Sequence, residues 1–182
     1  TKLTALLALG GLLGFVFASN VLRPGADAYR LARHGALLGV PAFILVILAA
    51  PLDLGAAFLA GNFMIGFGAA IFGHATLTAT MTLAPREQAG LALGAWGAVQ
   101  ATAAGLALAL SGTVRDLVGL FGHGTAELIG VTAPLLGYLS VYGIEIILLL
   151  VTVVACIPLL GRTNRPAGAA HHGGIDRQPT VQ

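Results

Sequence analysis

Five side chains in an otherwise apolar chain are of types that could do chemistry: Asn62, His74, Trp96, Gln100 and Glu145. His74 is the only histidine inside a stretch long and apolar enough to cross a bilayer, and a polar group at that depth is a functional candidate by default. Its plainer role is a hydrogen bond to a threonine or a backbone carbonyl. Glu145 needs a partner if it is ionised in lipid, and Arg115 in the preceding loop is within reach. A structural Glu145–Arg115 pair is favoured over a proton relay, the alternatives being a protonated acid or one facing a wet cavity. Gln100 and Asn62 carry amides that bond across helices or meet a ligand, and Trp96 fills space beside glycines or stacks on a flat ring. There is no nucleophile–base set, no phosphate loop and one cysteine, Cys156, so the pattern points away from an enzyme. His171 and His172 form a doublet without a third ligand, which does not make a metal site.

These residues need elements to hold them, and composition says which. Of 182 residues 57% are hydrophobic and only 9% charged, with mean hydropathy +0.93. A soluble domain carries about 25% charged residues, so the fold class is an all-α integral membrane bundle. The net charge of +2, with arginines at segment ends, excludes a nucleic-acid footprint. Five apolar runs predict spans at about 3–22, 35–52, 54–84, 89–111 and 138–160. Pro41 interrupts the second and predicts a kink there. The polar connector 23–34 joins the first two spans, and a tight turn with Pro51, Asp53 and Gly55 follows the second. Arg86 and Glu87 form a solvated turn, paired with each other. In the loop 112–133, residues 114–121 are expected to lie along the interface. The tail 162–182 reads as disordered.

Glycines repeat inside the apolar runs, at 10 and 14 with Ala18, and at 90, 94, 97 and 105. Small residues at such spacing let helices approach closely in lipid. The segment 84–105 is therefore the expected organiser, with the remaining helices packed on it. The connectors at 23–34 and 85–88 and the tail carry seven arginines, against Lys2 and Arg115 on the other side. That asymmetry predicts a cytoplasmic C-terminus. Five spans then leave Thr1 on the far side, so a longer N-terminal part is expected to precede it.

The run 90–105, GLALGAWGAVQATAAG, resembles the PucC/LhaA family of light-harvesting complex assembly factors, a branch of the major facilitator superfamily. Thr4-Ala5-Leu6-Leu7, Gly73-His74-Ala75-Thr76-Leu77-Thr78 and Tyr142–Leu149 (YGIEIILL) resemble it too, in the same order. The resemblance covers about residues 1–161. It implies that the five spans are numbers eight to twelve of a twelve-helix bundle, the C-terminal half of a major-facilitator-type protein. The connector with Asp27, Arg30 and Arg33 then resembles the Asp/Arg-rich cytoplasmic turn of that fold.

The resemblance also implies a function: assembling antenna complexes of the LH1 or LH2 type in the intracytoplasmic photosynthetic (chromatophore) region of the bacterial inner membrane. Bacteriochlorophyll is the implied cofactor, with carotenoid or lipid beside it. The implied partners are the light-harvesting α and β polypeptides, the reaction centre–LH1 complex and the rest of the same protein. His74 becomes a candidate magnesium ligand, and Gln100 and Asn62 candidate bonds to the pigment. Trp96 becomes a stacking surface, and the face of Gly90, Gly94, Gly97 and Gly105 a docking groove. Two competing readings are a secondary transporter and a permanent structural subunit of a photosynthetic complex.

Overall fold

The computed structural model describes residues 2–160 and is helical, with no strand among the described residues. The five long helices are α1 (Lys2–Leu22), α2 (Ala28–Ala49), α3 (Gly55–Leu83), α4 (Ala89–Phe121) and, after the short α5 (His123–Leu128), α6 (Ala133–Leu160). Each of the five is long and apolar enough to cross a membrane. The chain is a multi-pass membrane protein. The tail, with His171 and His172, lies outside the described residues.

α3 is the organiser. It lies between α1 and α2, and the buried core is made by Ala18, Leu31, Ala32, Ile71 and Ala75 from these three helices. Small residues bring their backbones together. A methyl group on Gly10 or Gly14 would fall on the carbonyls of Phe63 or Phe67, and one on Gly66 would fall on that of Leu7. The register rises together along both helices, so α1 and α3 are parallel. Gly61 meets Ala42 and Val46, while Gly35 meets Gly68 and Phe72, so α2 runs antiparallel to α3. α6 closes the other side antiparallel to α2, with Leu149 over Gly39 and the Tyr142 ring 5.9 Å from that of Phe43.

The segment 84–105 is not the organiser that its glycines predict. α4 has no buried residue, and added methyls at Gly90, Gly94, Gly97 and Gly105 would meet nothing. It packs mainly on α6, where the Arg115 backbone lies against Gly137. Glycine spacing shows that a close approach is allowed. Which of several such faces has a neighbour is decided by tertiary order.

Three boundaries also move. α2 begins seven residues before the predicted span because Asp27 caps it, its Oδ1 accepting from the Tyr29 N–H at 2.9 Å and the Arg30 N–H at 3.3 Å. Arg30 also pairs with Asp27 at 3.8 Å. The charged residues read as a connector are therefore the solvated first turns of a helix. Asp27→Ala should cost about 1 kcal/mol through lost capping. Faster amide exchange at residues 29–31, with the rest of α2 unchanged, is the expected signature. α2 continues as helix through Pro41.

α4 runs on to Phe121, so residues 114–121 belong to it and do not form a separate interfacial element. It can carry two charges there because Arg115 and Asp116 neutralise each other, Nη2 to Oδ1 at 2.7 Å. α6 starts at Ala133, shortly after Gly130 turns the chain with φ +72°. Arg86 and Glu87 sit exposed in a single 3₁₀ turn, and no ion pair joins them among the described residues.

Candidate functional site

The bundle leaves a half-open cavity of about 370 Å³ where α2, α3, α4 and α6 converge. Gly35 and Gly68 line it because α2 and α3 lie too close there for side chains, and Gly39 lines it under the Leu149 side chain of α6. Its polar lining consists of Gln100 from α4 and Glu145 and Thr152 from α6. Thr152 Oγ1 donates to the Leu148 carbonyl at 2.8 Å, so its remaining lone pairs face outward from that bond. The structure thus brings together two of the residues with chemical potential, Gln100 and Glu145, and adds Thr152 and the glycines of α2 and α3. The latter were legible as Gly35 and Gly39, four residues apart, and as Gly61, Gly66 and Gly68 within one run.

Glu145 does not pair with Arg115. Arg115 bonds Asp116 through Nε at 2.9 Å, donates to the Tyr138 hydroxyl at 3.4 Å and lies over the Tyr138 ring. No hydrogen bond or ion pair reaches Glu145 among the described residues. The expected pairing fails because α6 starts earlier than predicted. That leaves Glu145 twelve residues, roughly 18 Å, past Ala133, at the middle of a 28-residue helix.

His74 is half-buried on α3, with the Phe15 ring of α1 edge-on at 4.5 Å. Its Nδ1 is buried and has no hydrogen-bond partner. The nearby threonine hydroxyls are turned to their own helix, Thr78 donating to the backbone carbonyl of His74 at 2.9 Å. A metal could therefore approach only Nε2, and that tautomer would strand an N–H on Nδ1, at about 1–3 kcal/mol. With the proton on Nε2 instead, Nδ1 is a buried acceptor without a donor, so either neutral tautomer leaves this atom unsatisfied. His74 packs against Phe15, and Nε2 is the nitrogen left for a ligand.

Trp96 ties α4 to α3, its Nε1 donating to Thr76 Oγ1 at 3.4 Å. Asn62 spends an amide hydrogen on the Phe58 carbonyl of its own helix at 2.9 Å and is not among the residues lining the central cavity. Gln100 lines the cavity as an exposed residue and makes no hydrogen bond among the described residues.

The profile of the PUCC protein family matches residues 1–164. The chain belongs to this family. It is 49% identical to Protein PucC of Rhodobacter capsulatus over 171 residues, which covers 91% of this chain and 35% of that protein. Against Protein PucC of Cereibacter sphaeroides it is 47% identical over 164 residues, 88% of this chain and 34% of the relative. A second Rhodobacter capsulatus relative, an uncharacterized protein in the puhA-bchM intergenic region, is 44% identical over 162 residues, 88% of this chain and 33% of that protein. The chain spans about a third of the length of these curated relatives. No solved structure shows a significant match. The family match covers all five long helices and the cavity between them.

Proposed function

We propose that this chain is part of a membrane assembly factor for bacterial light-harvesting complexes, handling bacteriochlorophyll and docking nascent α and β antenna polypeptides. The observation that carries this reading is the PUCC family match over residues 1–164. In this reading the five spans are the eighth to twelfth of a twelve-helix bundle of the major facilitator type. The bundle sits in the intracytoplasmic membrane with its C-terminus in the cytoplasm. Among described residues, Arg23, Arg30, Arg33 and Arg86 lie at one end and Lys2 and Arg115 towards the other, which supports that orientation. The reaction centre–LH1 complex is a further partner in this reading, with carotenoid or lipid along the exposed apolar faces.

Bacteriochlorophyll supplies a Lewis-acidic magnesium and ring carbonyls when bound. The central cavity is at the small end of ligand pockets, which run from about 300 to 1,000 Å³, so it suits the edge of a macrocycle and not the whole. Gln100 would hold such an edge by donating its amide N–H to a carbonyl, with Trp96 bracing α4 beside it. The test is the absorption spectrum of the protein purified without antenna polypeptides. A near-infrared band is expected, shifted or lost in Gln100→Leu and kept in His74→Ala. A spectrum with no such band removes pigment handling. A shift confined to His74→Ala would return the pigment to α3.

One observation favours a second reading, cation-coupled transport: the mid-span position of Glu145. Flux into proteoliposomes tests it.

A further inference from the structure

Glu145 stands at mid-length of α6 and lines two cavities, the central one and a smaller one of about 110 Å³ between α4 and α6. A carboxylate inside a bilayer needs an opposite charge, because lipid offers no solvation to replace water. Among the described residues the surrounding helices do not provide one at either cavity. Neither α2 nor α3 contributes a titratable side chain to either lining, and α4 contributes only the neutral Gln100 and Ser111. On α6 itself, Tyr142 lies one turn earlier with its ring against Phe43. Arg115 is held by Asp116 and Tyr138. Arg33 is six residues before Gly39, roughly 9 Å farther along α2, and Cys156 is three turns beyond Glu145 on α6.

We propose that Glu145 binds one alkali-metal cation at the centre of the span. One carboxylate carries one negative charge, and no group of three or more His, Cys, Asp or Glu occurs among the described residues, so a divalent ion would lack its counter-charge. Hard cations take oxygen ligands. The Gln100 carbonyl is the neutral oxygen that another helix brings to the central cavity, and Ser111 lines the smaller one, whereas Thr152 is two turns from Glu145 on α6, roughly 10 Å away, and lies outside the site. This site goes beyond the assembly reading and is a property that transport would require. Its test needs neither pigment, antenna nor solute flux.

A hydrophobic carbodiimide modifies protonated carboxyl groups in apolar surroundings, and peptide mass spectrometry locates the adduct. In the purified protein in choline chloride an adduct is expected on Glu145. Sodium or potassium chloride at the same pH and ionic strength is expected to suppress it. Equal labelling in all these salts overturns the proposal. Exposed Glu127 serves as the internal reference, its labelling indifferent to sodium. Glu145→Gln removes the adduct, and if that variant fails to fold, the comparison of salts on the unmodified protein still decides. No adduct on Glu145 in choline chloride also overturns the proposal.

Discussion

Gly66→Leu separates α1 from α3 and lowers the thermal midpoint of the detergent-solubilised protein by roughly 6–12 °C. Gly66 is buried, and a methyl there already falls on the Leu7 carbonyl and close to the Gly11 nitrogen. Both obstacles are backbone, which cannot rotate aside like a side chain. The two helices have to move apart along their length, because Gly10 and Gly14 hold the same interface from the other side. Overpacking a fitted interior costs about 1–3 kcal/mol, and more when backbone must yield. At the upper value, a protein of this size loses about 2–4 °C for each kcal/mol. The shared core of Ala18, Ile71 and Ala75 opens with it, so loss is expected to be cooperative. A midpoint unchanged in both Gly66→Ala and Gly66→Leu would mean that α1 does not lie on α3. Tryptophan emission from Trp96 and circular dichroism both report the transition.

The class of the fold and the existence of five spans were legible because lipid imposes one strong constraint, a run of apolar residues long enough to cross. Ends were less legible because charge at a helix terminus reads as loop. Asp27, Arg30 and Arg33 belong to α2, and Arg115 and Asp116 to α4, since capping and mutual pairing let helices carry charge. An error of five residues at the start of α6 was enough to misplace Glu145 from mid-span to near the interface. That error also produced a false partner in Arg115. The glycine faces were legible as faces, but spacing alone does not distinguish Gly14, which meets a neighbouring backbone, from Gly94, which meets nothing. Gln100 and Glu145 are 45 positions apart, and only the packing of α4, α6 and α2 places them on one cavity. For His74, depth was readable, but the burial of a partnerless Nδ1 was not.

Leucine on the open face of α4 gives the opposite result to leucine at Gly66. Gly90 and Gly94 are four residues apart, both exposed, and added side-chain atoms there meet no other part of the chain. The double variant Gly90→Leu/Gly94→Leu is therefore expected to keep its thermal midpoint and its level in the membrane. Glycine in a helix interior is worse than an alkyl residue by about 1 kcal/mol in propensity, so the variant is, if anything, more stable. A face of small residues costs helix propensity, and in lipid it returns that cost only when another backbone lies against it. The described helices do not provide one for this face; under the proposed function an antenna polypeptide docked on α4 would. Leucines would hold such a helix away from the surface. Membranes of phototrophic cells carrying the variant should then contain at least about tenfold less antenna complex, the equivalent of roughly 1.4 kcal/mol of lost association. The reference is the protein level in the same membranes, which should not change. Antenna at the normal level would exclude α4 as the docking face, and a lowered midpoint would show that an internal neighbour occupies it.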